Sequence, residues 1–213
     1  MSGAPIVGIV RHRMETDGAG VTTLVGFYGC PLDCRYCLNP FTREAGIPFR
    51  PYTAEALYRE VKVDELYFLA SGGGVTFGGG EPLLYAEFIA AFRRLCGEEW
   101  RLTAETSLAV PREKVEAAVS CVDAFIVDIK DTDPAVYRAY TGKDNALMLE
   151  NLRWLAERCP ERLTVRIPLI PDYNTEEHRR KSKALLASWG IMNFDLFTYK
   201  TEDGGTPWTS KEG

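Results

Sequence analysis

The sequence is short of histidine, of basic excess and of long apolar runs. His12 and His178 are its only two histidines, so any metal or general-base chemistry must rest mainly on other side chains. No apolar stretch approaches the roughly 20 residues of a membrane span. The opening MSGAPIVGIVRHRMETDG has no signal-peptide apolar core, so a cytoplasmic protein without a membrane partner is expected. A formal charge of -5 gives no general reason to expect a nucleic-acid partner. The glycine-rich stretch lacks the lysine followed by serine or threonine of a phosphate loop.

What is present suits one globular unit. The chain has 213 residues, of which 46% are hydrophobic, enough for one core and short for two. We expect a single domain over residues 1–200 and a polar tail over 201–213. Strand patterns at 21–29, 75–77, 101–107, 123–130, 163–171 and 192–200 alternate with helix patterns at 53–69, 83–99, 111–120, 145–158 and 175–190. Thr53 opens the first helix, Pro111 stands at the start of the third and Gly190 closes the last. Such alternation makes a mostly parallel sheet with outer helices. Composition leaves open whether that sheet is doubly wound or a partial barrel.

Six cysteines fall into two kinds. Cys96, Cys121 and Cys159 are scattered singly in or beside apolar stretches and read as buried, inert thiols. Cys30, Cys34 and Cys37 are packed into CPLDCRYC (30–37). Three soft thiolates in one loop can hold three corners of a metal site. One reading is a structural zinc whose fourth ligand is distant, drawn from His12, His178 or another cysteine. The other is a [4Fe–4S] cluster with one iron left open for a reactant.

CRYCLNP (34–40) followed by GGGVTFGGGEPLL (72–84) resembles the radical S-adenosylmethionine enzymes. More narrowly, it resembles the activating enzymes of glycyl radical enzymes, of the pyruvate formate-lyase activase type. The likeness continues through FIVDIKDTD (125–133), YRAYTGKDNALMLENL (137–152) and VRIPLIPDYN (165–174), and covers about residues 6–200. It implies a partial (β/α)6 barrel, with Cys30, Cys34 and Cys37 ligating a [4Fe–4S] cluster and S-adenosyl-L-methionine on the open iron. It implies cofactor contacts from Gly79, Gly80 and Glu81, from Glu105 and Ser107, from Asp128 and Lys130 as an acid–base pair, and from Arg166 to the cofactor's carboxylate.

The implied activity is reductive cleavage of the cofactor to a 5′-deoxyadenosyl radical, with an external one-electron donor such as flavodoxin or ferredoxin. The implied substrate is a backbone glycine of a partner glycyl radical enzyme. Radical chemistry on a small metabolite or peptide, or a non-catalytic zinc module, are the alternatives. The chain departs from the family pattern in several places. Gly78 stands for a serine, Glu105 for an aspartate, Ser107 for an asparagine and Asp172 for a glycine. METDGAGVTT is a weaker match to the opening segment, and FDLFTYKTEDG (194–204) lacks the family's histidine. The chain also lacks the ferredoxin-like insertion that some activases carry.

Overall fold

The computed structural model describes residues 3–14 and 17–199. Its eight strands are β1 (Ala4–Met14), β2 (Val21–Phe27), β3 (Arg50–Tyr52), β4 (Gly74–Gly79), β5 (Arg101–Thr106), β6 (Ala124–Asp128), β7 (Leu163–Leu169) and β8 (Phe194–Thr198). They form one sheet in the order β3-β1-β2-β4-β5-β6-β7-β8. From β2 to β8 every neighbouring pair is parallel, whereas β1 runs antiparallel to both β2 and β3.

In the parallel part, spatial order equals chain order. A doubly wound sheet needs a reversal of order at a switch point, and there is none among the described residues. Successive right-handed crossovers in one direction put all helices on one side and curl the sheet. The fold is therefore a partial (β/α)6 barrel, and the choice left open by composition is decided.

The connecting helices are α1 (Ala54–Val61), α2 (Glu65–Ser71), α3 (Ala86–Cys96), α4 (Arg112–Val119), α5 (Pro134–Thr141), α6 (Ala146–Ala156) and α7 (Glu176–Ser188). Thr53 caps α1 by accepting from the Ala56 N–H. Along α3, Ala86, Phe88, Ile89, Phe92 and Cys96 are buried, the 3–4 residue recurrence of one helix face. Phe92 meets Phe77 of β4 edge-on at 5.5 Å, and Trp100 packs on Phe68 at 5.1 Å. Each such side chain, fully buried, contributes about 1.5–3 kcal/mol.

Three expectations need correction. Residues 53–69 are not one helix. A 3₁₀ turn at Lys62–Asp64 divides them, because the Asp64 carboxylate turns inward to Arg11 at 2.6 Å and Thr23 at 2.8 Å. The N-terminal stretch, read without a strand, is the 11-residue β1. A helix absent from the sequence reading, α5, starts at Pro134 behind the Asp133 cap and ends at Gly142 in the left-handed conformation. The expected tail 201–213, and Lys200 at the end of the last expected strand, lie outside the described residues, as do Glu15 and Thr16 of the METDGAGVTT segment.

Candidate active site

The C-terminal ends of parallel strands are where this architecture builds its sites. Strand β2 delivers the chain into the cysteine loop, and Phe27 pairs in register with Gly79 at the end of β4. The loop is then tied to the glycine segment: Gly80 N–H donates to the Phe27 carbonyl at 2.9 Å and Glu81 N–H to the Gly29 carbonyl at 2.7 Å. A Cβ on Gly80 would lie 2.2 Å from the Gly29 carbonyl oxygen. Glycine is required here by contact with the cysteine loop itself, which no local turn rule reveals.

One cavity of about 460 Å³ opens at this end, within the range of small-molecule sites. Cys30, Cys34 and Cys37 line it on one side, with Gly79, Gly80 and Glu81 beside them. Glu105 and Ser107 enter from the end of β5, Asp128 and Lys130 from the end of β6, and Arg166 from β7. All the site residues expected from the sequence thus face one space. Arg13, Asp17, Asn39, Thr106, Asp195, Phe197 and Tyr199 line it too, and sequence reasoning did not single them out.

The Glu81 carboxylate is 1% exposed. It accepts from Thr106 Oγ1 at 2.6 Å, Ser107 Oγ at 2.6 Å, Ser107 N–H at 2.9 Å and Leu83 N–H at 3.2 Å. Burial pushes its pKa up, while Ser107, Thr106 and Leu83 pull the other way. Its carboxylate fixes the end of β5 to the glycine segment. Gly78 and Glu105, two departures from the family pattern, are in contact. A Cβ at position 78 would sit 3.0 Å from Glu105 Oε2 and 3.3 Å from Leu24. The glycine makes room for the longer acid.

Asp128, Arg166 and Asp195 occupy one row across β6, β7 and β8. The Arg166 guanidinium donates to Glu105 and, at 3.2 Å, to Asp195, so it is engaged by two carboxylates of the chain. Lys130 donates to Tyr199 Oη at 3.2 Å and stands 3.4 Å from Asp128 Oδ2. Burial works against its charge, but Asp128, Tyr199, Cys34 and Tyr140 hold its pKa well above that of an ordinary lysine. The sequence expects Asp128 and Lys130 on one face through strand alternation. The structure reaches the same juxtaposition differently: β6 ends at Asp128, and Lys130 lies beyond it with a φ of 61°.

Three thiols on one side of the cavity are soft donors of the kind that iron–sulfur clusters and zinc take. Cys30, Cys34 and Cys37 are free and half-buried. Burial pushes the Cys30 thiol up to about 12, with Glu81 adding to the rise, and burial also raises Cys34, against the pull of Lys130. Among the described residues, no three His, Cys, Asp or Glu side chains converge on a point that could hold one metal ion. Cys96, Cys121 and Cys159 are buried away from the cavity. His178 completes the capping box of α7, and His12 contacts Asp64 at 3.3 Å. Neither lines the cavity.

Comparison with known proteins agrees with this geometry. The family model described as the Radical SAM superfamily matches residues 24–181. A pyruvate formate-lyase-activating enzyme of Clostridium pasteurianum is 41% identical over 197 residues, covering 89% of this chain and 82% of that protein. An indoleacetate decarboxylase activating enzyme of Tractidigestivibacter scatoligenes is 32% identical over 143 residues, 66% of this chain and 45% of that protein. The chain therefore spans from under half to about four fifths of these relatives. Among solved structures, Streptococcus suis SuiB bound to S-adenosylmethionine superposes with a TM-score of 0.64 at 17% identity, covering 86% of this chain and 41% of that one, a likeness of fold. No helix among the described residues is long and apolar enough to cross a membrane.

Proposed function

This chain belongs to the radical SAM superfamily, alongside the activating enzymes of the pyruvate formate-lyase type, and from that premise we propose that it activates a partner glycyl radical enzyme by removing hydrogen from a backbone glycine. The observation that carries the reading is the meeting of three thiols and eight expected cofactor contacts in one cavity. When bound, a [4Fe–4S] cluster and S-adenosyl-L-methionine supply reductive cleavage of the cofactor to a 5′-deoxyadenosyl radical, with the electron from an external donor such as a flavodoxin or ferredoxin.

The chain's own residues do the binding and the orienting. Cys30, Cys34 and Cys37 give the thiolates, whose protons leave on ligation. Asp128 has one buried oxygen with no hydrogen-bond partner among the described residues, an acceptor suited to a cationic group such as the cofactor's amine. Arg166 is a planar donor suited to a carboxylate, and Lys130 adds fixed positive charge beside it. Glu81, spent on Thr106 and Ser107, holds the glycine segment so that Gly79 and Gly80 present their backbone. A single domain reaching to about residue 200 and a cytoplasmic location accord with this reading.

The test is hydrogen transfer. The anaerobically reconstituted, reduced chain is given S-adenosyl-L-methionine and a glycyl-radical-type partner deuterated at its glycine α-carbons. The reading expects deuterium in the 5′-deoxyadenosine formed and a radical on the partner. Cofactor cleavage that leaves the 5′-deoxyadenosine without deuterium and the partner without a radical overturns it.

A further inference from the structure

Lys130 is held in an uncommon backbone shape. Its φ is 61°, and the Asp131 N–H donates back across it to the Ile129 carbonyl at 2.8 Å. A hydrogen bond spanning two residues with positive φ between them is the rarer, strained form of the γ-turn. A lysine gains nothing from the left-handed region, and such residues persist only where their surroundings over-determine them.

The surroundings here centre on Asp131, which is 1% exposed yet does not line the cavity. Its carboxylate accepts from Asp133 N–H at 2.9 Å, from Asn174 Nδ2 at 3.0 Å and from Ser182 Oγ at 3.4 Å. Asn174 is itself fixed to the exit of β7. Its Oδ1 accepts from Ile170 N–H at 2.6 Å and its Nδ2 donates to the Pro168 carbonyl at 3.0 Å. Ser182 belongs to α7. One buried carboxylate therefore joins the exit of β6, the exit of β7 and the helix that follows.

We infer that the Asp131–Asn174 pair is a latch for the cofactor site: it imposes the turn at Lys130 and so aims the Lys130 ammonium between Asp128 and Tyr199. Asp131 and Asn174 are positioning residues, acting through Lys130 without touching the ligand. The inference rests on the reading above, in which Lys130 meets the cofactor.

A double-mutant cycle tests it, read by calorimetric binding of S-adenosyl-L-methionine to the anaerobic, cluster-loaded chain. Lys130→Met weakens binding by about tenfold, as loss of a charged hydrogen-bond donor does. Asp131→Asn, whose NH₂ group must face a donor, either Asn174 Nδ2 or the Asp133 N–H, weakens it about three- to tenfold in the parent but less than about twofold once Lys130 is Met, because the two act as one unit.

Equal loss from Asp131→Asn in both backgrounds overturns the latch, since a merely structural role is blind to Lys130. Unchanged affinity in Lys130→Met overturns it together with its premise, and that variant alone tells the two failures apart. Should Asp131→Asn not fold, Asn174→Ser replaces it in the same cycle under the same criteria.

Discussion

The Lys130 ammonium stands 3.4 Å from Asp128 Oδ2, while Asp128 Oδ1 is buried and accepts no hydrogen bond among the described residues. The two partners are unequally protected: the Lys130 side chain is 9% exposed and that of Asp128 is 23%. Removing one partner of a buried pair leaves the other's charge uncompensated. Asp128→Ala should therefore cost about 3 kcal/mol and Lys130→Met about 1–2 kcal/mol, since the stranded Asp128 retains water. Urea unfolding of the metal-free chain measures both, and the reverse ranking would contradict the assignment.

Gly78 and Glu105 should behave as a coupled pair. Gly78→Ser places a Cβ 3.0 Å from Glu105 Oε2 and is expected to destabilise by about 1–2 kcal/mol, the usual cost of overpacking. Glu105→Asp withdraws the carboxylate by one methylene, so the double variant should recover most of that loss. Thermal melting of the four proteins tests the coupling, and strict additivity would show that the two sites do not interact.

Glu81 faces four donors within hydrogen-bond distance. Glu81→Gln keeps the shape but turns an NH₂ group toward them. At least one buried donor then goes unsatisfied, for a loss of about 1–3 kcal/mol. Because Glu81 joins the glycine segment to the end of β5, amide hydrogen exchange at Ser107 and Leu108 should accelerate with it. Unchanged exchange there would show that the carboxylate does not organise the β5 exit.

Burial pushes Cys96 and Cys121 each from 9.0 up to about 11. A thiol that holds its proton more tightly when folded contributes stability that is whole below the unfolded pKa and drains as pH rises through the folded one. The metal-free chain should thus weaken between pH 9.0 and about 11, and the Cys96→Ala, Cys121→Ala double variant should weaken less steeply. Equilibrium unfolding across that window is the check, and parallel slopes would remove these thiols as the cause.

Local pattern was enough for much of this. The βα alternation is written in hydrophobic period, and the three cysteines and the glycine segment in spacing. What local pattern could not supply came from partners far along the chain. Asp64 breaks the first helix because Arg11 and Thr23 need it. Strand β1 is an antiparallel addition at the sheet's margin, with irregular register between Val10 and Arg13, and it escaped the parallel βα pattern. Asp195 and Tyr199 matter only because β8 lies beside β7, putting Asp195 in register with Arg166. Helix α5 is different. Its Asp133-Pro134 start and Gly142 stop were present in the sequence and interpretable by capping rules alone.

The most direct measurement is the electron paramagnetic resonance spectrum of the reduced, anaerobically reconstituted chain with and without S-adenosyl-L-methionine. The account predicts a [4Fe–4S] signal that changes on adding the cofactor and is lost when Cys30, Cys34 or Cys37 is replaced by alanine. A cluster signal indifferent to the cofactor at saturating concentration, or one that survives loss of any of those thiols, would contradict it.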